Sequence, residues 1–184
     1  MQSMRIVLAL LILLGPLSVS ASEFDETKAL AEQGDADAQF ALGYNYYAGI
    51  GAQHDYKEAL KWYQASAAQG DQYAQSSLAK MYYDGEGAPQ DYKEALRWFK
   101  ASAVQGYASS QYYLAIMYQN GEGTPQDYEE AFKWFGASAE QGNDGAQNNL
   151  AVLYSNGEGT LQNDKEAMKW YRASAEQGYT QGQF

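Results

Sequence analysis

The chain has 184 residues and carries 23 Asp or Glu against 12 Lys or Arg, a formal net charge of −11 at pH 7. Such acidity repels nucleic acid and anionic lipid headgroups and leaves proteins, glycans or cationic ligands as partners. There is no cysteine, which excludes disulfide staples, thiolate metal ligands and a lipid-attachment Cys.

The N-terminus reads as an export signal over residues 1–21. Arg5 supplies the positive start, Ile6 to Leu14 is an unbroken apolar run, and Val19-Ser20-Ala21 fits small-residue cleavage. The run is too short for the roughly 20 apolar residues of a membrane-spanning helix. Cleavage after Ala21 removes Arg5 and no acid, so −11 becomes −12 in the exported chain. No Asn-x-Ser/Thr sequon occurs, which suits a bacterial periplasmic or secreted protein. Residues 22–33 then form an N-terminal cap, with one short polar helix expected over Thr27 to Gln33.

From there the sequence is periodic. Gly34, Gly70, Gly106 and Gly142 stand 36 residues apart, and Leu42/Leu78/Leu114/Leu150, Tyr46/Tyr82/Tyr118/Tyr154 and Trp62/Trp98/Trp134/Trp170 recur in the same phase. A gapless period of this size marks one supersecondary unit stacked on copies of itself, each burying the face its neighbour cannot bury alone. The units are 34–69, 70–105, 106–141 and 142–177, with 178–184 entering a fifth and stopping.

Each unit predicts two helices. The first, helix A, opens at Asp35, Asp71 or Asn143, all N-cap types, with Tyr107 the exception. Ala38, Leu42 and Tyr46 then fall four apart on one stripe. Helix A closes at a Gly-x-Gly such as Gly85-Glu86-Gly87, where glycine adopts the left-handed conformation freely. Helix B opens with an Asp or Asn followed three residues later by Glu: Asp55/Glu58, Asp91/Glu94, Asp127/Glu130 and Asn163/Glu166. That spacing predicts a capping box, with the Glu reaching back to the N-cap amide. Ala59, Trp62, Tyr63, Ser66 and Ala67 give helix B its own apolar stripe, and the tryptophans are expected to fill the core between units.

Little in the chain suggests chemistry. Ser77-Leu78-Ala79-Lys80 matches the Ser-x-x-Lys string of penicillin-interactive enzymes, but it lies inside helix A, is not repeated in other units and has no Lys-Thr-Gly partner. The only imidazole is His54, in a loop, so neither a Ser-His-Asp triad nor a multi-His zinc site can be assembled. Glu86, Glu122 and Glu158 occupy equivalent turns and could form a weak carboxylate ladder for a divalent cation, although their spacing is not that of a calcium loop. Helix-end solvation is the plainer role. No catalytic residue, metal site or cofactor is expected.

The unit Ala-Gln-x-x-Leu-(Gly/Ala)-x-x-Tyr-x-x-Gly-x-Gly, followed by Pro-Gln-Asp-Tyr-x-Glu-Ala-x-x-Trp-(Tyr/Phe)-x-x-Ser-Ala-x-Gln-Gly, closely resembles the Sel-one-like repeat, a relative of the tetratricopeptide repeat. The resemblance covers Gly34 to Gln177. Unit 1 departs from it with Ala52-Gln53-His54 and unit 4 with Leu161 and Asp164. It implies an all-α, right-handed superhelical solenoid of antiparallel helix pairs whose A helices line a concave groove for a protein partner. Family topology places Phe40, Tyr44, Tyr47, Tyr73, Ser76, Lys80, Tyr83, Tyr112, Ile116 and Gln119 in that groove, followed by Asn148, Val152 and Ser155. The expected function is a non-enzymatic adaptor or scaffold of the cell envelope. The alternatives are a glycan or peptidoglycan binder, because exposed rings stack on sugars, and a penicillin-linked envelope hydrolase. With the fifth unit cut short, Met168, Trp170 and Tyr171 are expected to lack a cover, so either this edge pairs with another subunit or partner, or the chain is the remnant of a longer array.

Overall fold

A computed structural model describes residues 21–177. Among them are nine α-helices and no strand: α1 (Ala21–Glu32), α2 (Ala36–Ala48), α3 (Tyr56–Ala68), α4 (Gln72–Asp84), α5 (Tyr92–Ala103), α6 (Ala108–Asn120), α7 (Tyr128–Glu140), α8 (Asp144–Asn156) and α9 (Asp164–Glu176). Each helix packs on its neighbours in chain order, and α2/α3, α4/α5, α6/α7 and α8/α9 are the A/B pairs of the four units. The expected signal segment and the start of a fifth unit lie outside the described residues, except that Ala21 opens α1. None of the described helices is long and apolar enough to cross a membrane.

The helix boundaries follow local chemistry. Asp35, Asp71 and Asn143 accept the amides of Ala38, Ala74 and Ala146, while Tyr107 caps α6 without a side-chain bond. Gly49, Gly85, Gly121 and Gly157 end the A helices at φ between 70° and 76°. The second glycine of each turn has a different task. A Cβ on Gly87, Gly123 or Gly159 would lie 2.4, 2.4 and 2.0 Å from the carbonyl oxygens of Tyr56, Tyr92 and Tyr128. Each of these turns therefore sits directly on the first residue of the preceding unit's helix B, which only glycine permits.

Three expectations need correction. The capping box is half formed: Asp55, Asp91 and Asp127 accept from the amides two and three residues on. Their own amides, and that of Asn163, donate to the carbonyls of Tyr46, Tyr82, Tyr118 and Tyr154 at the end of helix A. With that amide already taken, each Glu turns outward to Lys61, Arg97, Lys133 or Lys169 three residues along. Those cations lie 4.2–5.2 Å over the rings of Trp62, Trp98, Trp134 and Trp170, and Trp134 Nε1 also donates to Glu130 at 2.9 Å.

The tryptophans are thus only partly buried. The sealed aromatic is the next residue, Tyr63, Phe99 or Phe135, at 3, 0 and 0% exposure. The rings pack beside fully buried alanines such as Ala59, Ala95 and Ala131, whose small side chains let helices A and B approach closely. The N-terminal helix is also longer than Thr27 to Gln33, beginning at Ala21, and it buries Phe24 and Ala31 against α2.

A polar ladder runs through this apolar stack. Gln39, Gln75, Gln111 and Gln147 are buried and donate to Ala31, Ala67, Ala103 and Ala139 at the end of the preceding helix, α1 for the first and a helix B for the others. Their Oε1 atoms accept from Gln69, Gln105, Gln141 and Gln177 at 2.7–2.8 Å. Ser66, Ser102, Ser138 and Ser174 donate to the first-turn carbonyls of helix A in their own unit. Both ends of each buried amide are satisfied, so Gln39, Gln75, Gln111 and Gln147 join each unit to the helix before it, the Ser residues tie the two helices of one unit, and neither set waits for a ligand.

Candidate functional site

The A helices of the first three units converge on an aromatic pocket of about 350 Å³. Tyr63, Met81 and Phe99, all at most 3% exposed, form its floor. One wall is a chain of rings: Tyr63 to Phe40 at 5.8 Å, Phe40 to Tyr73 at 6.0 Å, and Tyr73 edge-on to Tyr107 at 5.2 Å. The opposite wall is Tyr113, stacked on Phe99 at 5.1 Å and 11°. Tyr44 and Tyr73 remain 51 and 46% exposed at the mouth.

The electrostatics are those of a neutral pocket. Lys80, the only charged group in the lining, forms an ion pair with Asp84 and lies 5.7 Å from the centre of the Tyr113 ring. Burial pushes the Tyr63 hydroxyl well above its ordinary range, a rise that the facing Ser77 hydroxyl partly offsets. Tyr107 is raised by burial and by Tyr73. The pair that prompted comparison with penicillin-interactive enzymes is therefore engaged elsewhere, Ser77 with Tyr63 and Lys80 with Asp84.

Of the ten groove residues expected, Phe40, Tyr44, Tyr47, Tyr73, Ser76 and Lys80 line this pocket. Tyr83, Tyr112, Ile116 and Gln119 stand outside its lining. The Tyr83 hydroxyl donates to Glu122 at 2.9 Å, and Tyr112 and Ile116 pack against the core of units 3 and 4. The Gln119 carbonyl accepts from Gln126, and Asn148 is buried at 9% exposure. Sequence reasoning missed Tyr63, Ser77, Met81, Phe99, Tyr107, Ser109 and Tyr113 as pocket residues. Only Tyr107 gave a signal, as the one helix A start without a capping side chain.

The turn glutamates are structural partners of tyrosines. Burial, followed by the Glu86 carboxylate, pushes the Tyr47 hydroxyl up to about 12. Glu86 raises Tyr56 as well, and burial followed by Glu122 raises Tyr83 further still. Glu86 and Glu122 thus fasten their turns to the unit before them, while Glu158 accepts from Asn156 in its own unit. Among the described residues no group of three or more His, Asp or Glu side chains is placed to hold a metal ion.

A second opening, of about 580 Å³, lies at the end of the array between α8 and α9, lined by Ser155, Asp164, Ala167, Met168, Tyr171, Arg172 and Ala175. Met168 there is 65% exposed.

Comparison with known proteins places the architecture. The Sel1 repeat matches residues 36–71, 72–107, 108–143 and 145–179. A solved structure from uropathogenic Escherichia coli, described as a protective antigen displaying an SLR fold, is 38% identical with a TM-score of 0.83 over 86% of this chain and 34% of its own. A Sel1 repeat protein from Oxalobacter formigenes is 31% identical with a TM-score of 0.81, covering 88% of this chain and 64% of its own. The chain therefore spans about a third of the first relative and less than two thirds of the second. Cysteine rich protein B of Helicobacter pylori, 16% identical with a TM-score of 0.55 over 70% of this chain and 92% of its own, shares the fold alone. No curated protein matches the sequence. With four repeats matched across most of its length, this chain belongs to the Sel1 repeat family.

Proposed function

We propose that this protein is a non-enzymatic adaptor or scaffold of the bacterial cell envelope, exported to the periplasm or beyond, that holds a segment of a protein partner in its A-helix pocket. Sel1 repeat proteins are generally protein-interaction scaffolds. The observation that carries the reading is the pair of half-exposed rings, Tyr44 and Tyr73, over a floor of sealed ones. Tyr offers a wide apolar face, a hydroxyl and few rotamers to freeze, which suits it to the energetic centre of an interface.

The test is capture of envelope proteins on the immobilised exported chain, compared with a Tyr44→Ala/Tyr73→Ala variant. Loss of a specific polypeptide at unchanged melting temperature supports the proposal. Equal capture by both proteins counts against this pocket. Retention that requires purified cell wall and no protein favours the glycan reading instead.

A further inference from the structure

One stripe of α7 breaks the pattern of the other repeats. Successive turns of helix B carry Leu60, Gln64 and Ala68 in unit 1, Leu96, Lys100 and Val104 in unit 2, and Met168, Arg172 and Glu176 in unit 4. In unit 3 the same stripe is Phe132, Gly136 and Glu140: a ring, a gap and an acid.

Gly136 answers no need of the backbone. It lies inside α7 without a positive φ, and a Cβ there would meet nothing within 4 Å. Glycine weakens a helix interior. The other glycines inside the described helices have packing reasons, since a Cβ on Gly43 or Gly145 would press on the ring of Tyr63 or Tyr112. What Gly136 does is leave a side chain out. In unit 1 the Gln64 amide donates to the Tyr82 hydroxyl at 2.9 Å. The corresponding Tyr154 hydroxyl makes no hydrogen bond among the described residues, and a notch of about 460 Å³ opens there between units 3 and 4.

The notch has an apolar corner and a polar rim. Phe132 and Tyr154 meet edge to face at 5.0 Å and 86°, with Leu150 and Trp170 beside them. The rim carries the carboxylates of Glu140 and Glu166 and the ammonium groups of Lys133 and Lys169. No residue is shared with the A-helix pocket.

This lining selects its ligand. A cation entering meets Lys133 and Lys169, and an anion meets Glu140 and Glu166. A neutral pyranose meets neither repulsion. Its C–H face can lie on the aromatic corner, and its hydroxyls, each both donor and acceptor, match a rim of carboxylates and ammonium groups. The tyrosine pocket, with no carboxylate in its lining, lacks the acceptors for such an edge.

We propose that the notch formed by α7, α8 and α9 binds a neutral pyranose residue of a glycan, seated on Phe132 and Tyr154 and held at its hydroxyls by Glu140 and Glu166.

The experiment is heteronuclear NMR of the full exported chain titrated with four tetrasaccharides: cellotetraose and tetra-N-acetylchitotetraose, which are neutral, deacetylated chitotetraose, which is cationic, and tetragalacturonate, which is anionic. A neutral tetramer is expected to shift the Gly136 amide and Trp170 indole resonances saturably, while the buried Trp62 indole stays still. Gly136→Gln restores the side chain that unit 1 uses and is a better helix former than glycine, so melting should hold or rise while binding is lost. Glu140→Gln should weaken binding by about tenfold, the loss of a charge-assisted hydrogen bond. Tyr44→Ala/Tyr73→Ala should leave it unchanged.

The inference is overturned if neither neutral tetramer moves these resonances, or if a charged tetramer binds more tightly than both. Binding that survives Gly136→Gln, or is indifferent to Glu140→Gln, overturns it as well. Sugar binding lost only in the Tyr44→Ala/Tyr73→Ala variant would put the glycan in the A-helix pocket, against both this site and the polypeptide reading.

Discussion

The turn glycines offer a clean test of how the units are joined, because two of them share a backbone strain and differ in what lies beside them. Gly106 has φ +97° with nothing within 4 Å of where a Cβ would stand, while Gly123 has φ +73° and its Cβ would lie 2.4 Å from the Tyr92 carbonyl oxygen. Gly106→Ala should therefore cost only the left-handed penalty of an L-residue, about 1–2 kcal/mol. Gly123→Ala incurs the same penalty and must also push the turn of unit 3 off the start of α5. Relief of more than about half an ångström of overlap against backbone is an overpacking cost of about 1–3 kcal/mol, which brings the total to about 2–5 kcal/mol.

Urea unfolding followed by circular dichroism measures both. The lost contact joins units 2 and 3, so Gly123→Ala should also broaden the transition as the stack uncouples. Equal midpoints for the two variants would refute the claim that these turns are pinned to the preceding unit.

Phe135→Ala should cost about 3–5 kcal/mol, since the ring is wholly buried among Ala131, Ala139 and Leu153 and the cavity cannot collapse between paired helices; chemical denaturation checks it. Alkali should unfold the protein early. The folded-state values of Tyr47, Tyr63 and Tyr83 lie above the ordinary 10.0, so their contribution is complete below about pH 10; that of Tyr47 is lost as the pH climbs through about 12, and those of Tyr63 and Tyr83 at higher pH still. Glu86→Gln should lower the Tyr47 titration, visible in the tyrosinate absorbance, because a neutral amide no longer opposes the phenolate. Fluorescent penicillin should leave Ser77 unlabelled, since Lys80 is paired with Asp84 and gives it no free base; a covalent adduct on Ser77 would return the hydrolase reading.

Periodicity exposed what is local. Caps at Asp35 and Asp55, and stops at Gly49 and Gly85, each depend on a few neighbouring residues, so the sequence carries them openly. What it hides is set across helices. Trp62 and Tyr63 are adjacent, about 100° apart around α3, and both are aromatic; the positions of α2 and α4 decide which is sealed. The capping glutamates were misread because a carbonyl from helix A claims the N-cap amide first.

The pocket shows the same limit. Tyr113 occupies the register that holds Ala41 in unit 1 and Ser77 in unit 2, so no repeated pattern marks it. Tyr107 was visible only as a missing cap, and its ring packs on Tyr73 where other units bond an amide. Tyr63 and Phe99 read as core, which they are, and as pocket floor only once Phe40 and Tyr113 are seen resting on them.

The central claim is that recognition occurs on the tyrosine-lined face of the A helices. A photo-crosslinking residue placed at Tyr73, and separately at Lys133, which is exposed on helix B beside Trp134, interrogates it in intact cells. A discrete polypeptide adduct from position 73, absent from position 133, is the expected result. Adducts from position 133 alone would place recognition on the other face and contradict the account.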